Sequence, residues 1–438
     1  LIFITFIRQE NLHAVRKVVR EVAVVVTRDQ PEIAVIPAKV GIHGLGCTNI
    51  PNSRILEDEK KYNYSVSVRA LTRMPFFKLF FQLLITVKFT LLATIVGAAT
   101  LAPDTVDAVY HKYDGGGMEI DGPFILVRKS IGTDFSVNGH YYVDSVSAAS
   151  IDVLANASEY TEERTEYSVG VDFLHDKTMV STGYTNSTEN DFEANSAFLS
   201  ISQSFFGDLS TLSLSYAKGK DDVGMVNNSF DEQADRDIYK IGLSRILSKN
   251  ALLGLNLEMI TDEGYLNNPY RTYRYLDPTD LSDGYGTATE VYPETRTSYA
   301  VAMRALYYLP YRASLKAEYR YFNDSWGIVA HTYELAYVHP LSPRWTVEGR
   351  YRYYSQTKAD FYKDLFPFQN AETHMGRDKE LSTYSDYTIG GGITYEFGQG
   401  VIPHIDKMKF TALVDYLNFS YDDFRDVTKA SVNPGEEL

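Results

Sequence analysis

The stretch YRASLKAEYRYF, Tyr311 to Phe322, and its neighbour RWTVEGRYRYY, Arg344 to Tyr354, decide the fold. In the first, Leu315, Ala317, Tyr319 and Tyr321 share one side of a period-two repeat, and Arg312, Ser314, Lys316, Glu318 and Arg320 share the other. In the second, Trp345, Val347, Gly349, Tyr351 and Tyr353 alternate with Thr346, Glu348, Arg350 and Arg352. Successive side chains of a strand point to opposite faces, so each segment reads as a strand with one apolar, aromatic-tipped face and one charged face. Such a strand is either half of a solvated sheet or the wall of a transmembrane barrel, with lipid outside and water inside.

Composition favours the barrel. The chain of 438 residues carries 34 Tyr and 23 Phe against 2 Trp and 1 Cys. Tyrosine is favoured in strands and where a barrel meets the membrane interface. A mean hydropathy of −0.23 excludes a helical membrane bundle but suits a barrel with a polar lumen and polar loops. The net charge of −15 argues against a nucleic-acid partner, and the barrel reading itself makes outer-membrane lipid the expected surroundings. The single Cys47 excludes an internal disulfide framework and a multi-cysteine metal site.

Residues 1–73 lack a sustained strand pattern and read as an N-terminal extension foreign to the rest. From Met74, Lys78 and Lys88 precede an apolar run, Phe89 to Val96, and small residues (GAATLA) follow. That order is the layout of a signal peptide over 74–102, which implies Sec-type export from the cytoplasm. The uninterrupted apolar part is short for a membrane span of about 20 residues.

Residues 103–438 resolve into about 15 short alternating strands with no helical stretch. Tight turns (HDK, GDL, SKN, PYR, LSPR) alternate with long links around 145–162, 218–236, 262–295 and 357–382. This is an antiparallel outer-membrane barrel with short periplasmic turns and long outer loops. An odd count conflicts with the even numbers of single-chain bacterial barrels, so a parent of about 16 strands with its closing strand missing is expected.

Several stretches resemble a bacterial family of outer-membrane β-barrels, the "domain of unknown function 3570" family. They are YYVDSVSAASIDVLANASEYTEERTEYSVGVDFL (141–174), NSTENDFEAN (186–195), SQSFFGDLSTLSLSY (202–216), ITDEGYLNNPYRTYRYLDP (260–278), YPETRTSYAVAMRALYYLPYRASLKAEYRYFNDSWGI (292–328), RYRYYSQTKADFYKDLF (350–366) and RDKELSTYS (377–385). The resemblance implies the barrel fold and an outer-membrane location, and brings no activity, substrate or catalytic residue.

The phasing puts Asp152, Glu159, Glu162, Glu163, Glu189, Asp191, Asp221, Asp222, Asp262, Glu263 and Asp378 at the outer rim. Oxygen donors of this kind suit a hard cation such as calcium. Alternatively they pair with Arg164, Arg271, Arg274 and Arg377 to pin the outer loops. In TDEGYLNNPYR the glycine, Asn267, Asn268 and the proline are turn formers, so this loop is expected to fold, with the mouth as one place to fold into. On the inward faces, Arg304, Arg312, Lys316, Arg320, Arg350 and Arg352, diluted by Glu318, Glu334 and Glu348, form a positive wall that would favour anions. No GxSxG, HExxH or paired-carboxylate motif points to an enzyme. The GGG run 390–392 marks a bend or a close approach within a strand.

The reading is a passive or gated conduit for small solutes or exported cargo. Two rivals stand beside it: a surface binding or scaffold barrel with a plugged lumen and acidic outer loops, and an outer-membrane enzyme.

Overall fold

The computed structural model describes residues 100–115, 117–148, 160–226, 228–279, 284–397 and 407–425, with the backbone of 19–28. The signal-like run 74–99, Cys47, Asp152 and Glu159 lie outside the described residues.

The chain is built of antiparallel strands: β1 (Val19–Arg28), β2 (Asp104–Gly115), β3 (Met118–Ile131), β4 (Phe135–Ala148), β5 (Tyr160–His175), β6 (Thr178–Thr188), β7 (Phe192–Phe205), β8 (Ser210–Gly224), β9 (Asp231–Ser248), β10 (Ala251–Gly264), β11 (Thr272–Leu276), β12 (Tyr285–Thr289), β13 (Thr295–Tyr308), β14 (Ser314–Asp324), β15 (Val329–Pro340), β16 (Trp345–Gln356), β17 (Tyr384–Glu396) and β18 (Lys407–Tyr421). Strands β2 to β10 and β13 to β18, fifteen in all, each pair with their chain neighbours in one meander. β1 pairs with both β18 and β2 and closes the ring. The place left by the odd count is thus taken by VREVAVVVTR, from the stretch read as an extension. Its run of valines favours a strand without the period-two signal that sequence reading looked for.

The two faces are those of the alternation. Register aligns Met303, Tyr319, Tyr333, Tyr353 and Tyr387 across five strands. On that outward face Ile125, Val127, Tyr167, Val169, Leu199, Val301, Met303, Leu335, Tyr351 and Ile389 are large, apolar and exposed. Exposed apolar surface of this extent on every wall is the lipid-facing band of a membrane barrel. The charged set faces inward.

One end carries tight turns, where Asp176, Phe206, Asp208 and Arg312 take positive φ (52°, 55°, 66° and 69°). The other end carries the long connections. The link expected at 218–236 is mostly strand, because β8 and β9 stay paired up to Gly224 and Asp231. Cross-strand charges hold this extension, Lys218 lying 3.7 Å from Asp237 and 3.9 Å from Asp235.

The facing of β15 has a direct test. Leu335→Arg puts a charge on the lipid face and should cost about 2–4 kcal/mol near the midplane. Ser200→Arg, on the inward face of β7, should cost much less. Urea-dependent folding into lipid vesicles measures both.

Candidate functional site

The inward cations each find a carboxylate across the sheet. Arg304 Nε donates to Glu318 Oε2 at 2.6 Å and Lys316 Nζ to Glu334 Oε1 at 2.6 Å. Arg320 reaches back two strands to Glu258 at 3.1 Å, which also takes Lys240 at 2.7 Å. Arg352 Nη1 donates to Asp386 Oδ1 at 2.6 Å, and Arg350 Nε to Asp415 Oδ1 at 2.7 Å. The positive wall read from residues 304–352 is therefore matched by Glu258, Asp386 and Asp415 on other strands. Arg312 is not part of it: the residue sits exposed in the tight turn between β13 and β14, at positive φ. Glu348 does face inward, in register with Gly392.

The glycine run explains how Arg350 reaches its partner. Arg350, Gly390 and Asp415 are in register on β16, β17 and β18. A Cβ on Gly390 would lie 1.8 Å from Asp415 Oδ1 and 2.9 Å from Arg350 Nε. The missing side chain is the passage through which the pair meets, burying Asp415 to 1% exposure.

On the opposite wall, His111 meets Asp144 at 2.7 Å and His140 meets Glu166 at 2.8 Å. Arg164 also holds Glu166, at 2.7 Å, and Arg128 holds Asp172 at 2.6 Å.

At the outer end, two loops, 265–294 and 357–383, fold into one body. The first contains the β11–β12 hairpin, which the sequence reading missed. Main-chain bridges join the loops at Tyr275 with Phe366 and at Val291 with Met375. Two apolar clusters fill the body. One is Tyr273, Phe366 and Met375; the other gathers Tyr292, Trp326, Ile328, Phe361, Tyr362 and Leu381. Asn267 stitches the base of the first loop, donating to Glu290 O at 2.6 Å and accepting from Tyr292 N at 2.9 Å. Asn268 turns the chain by accepting from Tyr270 N at 3.0 Å.

The body is tied to much of the rim. Tyr270 Oη donates to Asp191 beside β7 and accepts from Val226 N at 2.9 Å. Arg271 lies 3.5 Å from Asp378. Arg377 lies 2.9 Å from Asp364, donates to Arg425 O beyond β18, and sits over the Phe424 ring. Among the described residues Arg274 pairs with no carboxylate and stacks on Tyr285 at 3.9 Å. Asp262 is not a loop residue: it lies within β10, near its outer end, and pairs with Arg236 at 2.5 Å. Glu163 and Glu263 are exposed at strand ends, and neither joins the carboxylate cluster.

Of the rim acids, Glu162, Glu189 and Asp191 come together, with carboxylate oxygens within 4.8 Å of one another. Burial, then the charge of Glu162, pushes Glu189 up to about 7 and Asp191 up to about 6. Arg164, 4.0 Å from Glu189, opposes the rise. Such a trio can gather a hard cation or share protons.

A closed antiparallel ring with an apolar exterior and a charged interior defines an outer-membrane β-barrel. Residues 153–418 match a family described only as "protein of unknown function (DUF3570)", and the chain belongs to that family. No curated protein matches. Among solved structures, the chain is similar to the anion-selective porin from Comamonas acidovorans, at 10% identity and TM-score 0.34, over 72% of this chain and 93% of the porin. It is similar to the outer-membrane protein OmpT of Vibrio cholerae at 10% identity and TM-score 0.33, over 72% of this chain and 89% of that one. It is similar to the siderophore receptor PirA from Pseudomonas aeruginosa at 10% identity and TM-score 0.33, over 74% of this chain and 75% of the receptor.

A carboxyl whose folded pKa is raised contributes fully to stability below its ordinary value and loses that contribution as pH rises through the raised one. In EDTA, Glu189→Gln should therefore stabilise the β6–β7 rim at pH 8, on the order of 1–3 kcal/mol, and do nothing of the kind at pH 5. Hydrogen exchange of the rim amides reads the effect.

Proposed function

We propose that this barrel is a water-filled conduit for small polar solutes, weakly charge-selective and narrowed at its outer mouth by the interlocked loops. The observation that carries the reading is the solvation of the lumenal ion pairs. Arg304, Lys316, Arg320, Arg350 and Arg352 keep 29–35% of their side-chain surface although each is paired. Cations packed in a filled lumen would lose that surface, and the cost of drying so many ions disfavours a solid core. A ring of sixteen strands is wide enough for an aqueous passage.

The charge count supports weak selectivity. Along β9 to β18, the inward cations Arg236, Lys240, Arg296, Arg304, Lys316, Arg320, Arg350, Arg352, Lys407 and Lys409 are nearly matched by Glu258, Asp262, Glu318, Asp324, Glu334, Glu348, Asp386, Glu396 and Asp415. Along β2 to β5, Arg128 and Arg164 face Asp107, Asp144, Glu162, Glu166 and Asp172, with His111 and His140 among them. The balance tilts slightly acidic, so the conduit prefers cations slightly, against the anion preference that the 304–352 wall alone implies.

Planar-bilayer recordings test this. Steady openings with a small cation preference are expected. Asp386→Asn together with Asp415→Asn uncovers Arg350 and Arg352 and should turn the preference towards anions. A correctly inserted but silent barrel would overturn the conduit.

A further inference from the structure

We propose that Glu290 is a proton-operated latch between the two long outer loops, closed when protonated and released when ionised. Its effect on solute passage rests on the conduit reading; the latch itself does not.

The geometry places one carboxyl at the seam. Glu290 is 1% exposed, at the foot of the β11–β12 hairpin. Its carboxyl accepts the backbone N–H of Arg377, from loop 357–383, and the Tyr292 hydroxyl, from its own loop. The next residue, Val291, makes the double main-chain bridge to Met375, at 2.9 and 2.8 Å. Glu290 N donates to Arg271 O at 3.0 Å, and Glu290 O accepts from Asn267. The main chain of Glu290 thus holds the hairpin base, while its carboxyl holds the opposite loop next to the main-chain bridge.

The charged and titratable groups around it come from both loops. Arg271 and Tyr292 face it from the hairpin, Asp378 and Arg377 from the second loop, and Tyr265 from the start of the first. Asp364 and Arg425 lie behind Arg377. His374, in the same loop, packs on Phe361 with ring centroids 6.5 Å apart. Burial, then the charge of Asp378, pushes Glu290 up to about 7, against the hydrogen bonds from Tyr292 and Arg377 and the charge of Arg271. The sign follows. Because the folded value is raised, the contribution to the closed cap is full below about 4.5 and is lost as pH passes through about 7. Ionisation places a second negative charge beside Asp378 in a dry seam, and the relief is separation of the loops.

The molecule carries its own reporter. Trp326 is buried in the cap, with its ring edge-on to Tyr292 at 5.6 Å and to Phe361 at 5.2 Å. The only other tryptophan is Trp345, at a tight turn on the opposite end. In a Trp345→Phe background, the folded barrel in detergent should show a red shift of Trp326 emission and stronger acrylamide quenching as pH rises from 5.5 to 8.5. Glu290→Gln should abolish the transition, leaving the emission blue throughout. Asp378→Asn keeps a side-chain oxygen to accept from Glu380 N but removes the charge that raises Glu290, so it should move the midpoint to lower pH.

An Asp378→Asn midpoint that fails to fall, or a transition that persists in Glu290→Gln, as titration of His374 would give, overturns the latch. So does emission that ignores pH in the parent. Bilayer recordings over the same range separate the two readings: an emission change without any conductance sinks the conduit and leaves the latch standing.

Discussion

Inside a bilayer no water is available to a backbone N–H or C=O, so every such group must be satisfied by the protein itself. This constraint dictates the ring. An open sheet of fifteen strands would leave two edges of unpaired groups in hydrocarbon; pairing of β1 with β2 and β18 removes both. Alternation does the rest, sending tyrosines and aliphatics to lipid and ionised side chains to the lumen.

The interior is then a problem of register. Arginines of β16 would be costly neighbours to one another without counter-ions, and strand order supplies these from β17 and β18. Gly390 matters because a single absent methyl lets Arg350 contact a carboxylate two strands away. The same pairing that steadies the wall sets how much charge a passing solute meets.

The sequence made the wall legible and left its partners hidden. Residues 311–322 and 344–354 announce their faces because alternation is a local signal. The partners of Arg350 and Arg352 lie 65 and 34 residues away along the chain, and only strand register brings them close. Arg312 was misplaced because a turn residue at positive φ still fits the period of the strand that follows. The acids at 162, 189 and 191 were individually visible, but their convergence needed the pairing of β5 with β6. The cap was least legible. Its loop signals mark turns, whereas the burial of Tyr273, Phe366 and Met375 depends on two segments that share no local pattern.

The meander also fixes an order of construction. Each barrel strand from β2 onward meets its chain neighbour, so hairpins can add one after another with short loop closures. The union of Val291 with Met375 cannot precede this, because β13 to β16 lie between them along the wall. A molecule stalled short of loop 357–383 would present Tyr273 and Tyr292 without the Phe366, Met375 and Phe361 that cover them. Sealing of the outer loops is thus a record that the wall from β13 to β16 is in place, and before it the chain exposes apolar surface that the finished cap hides.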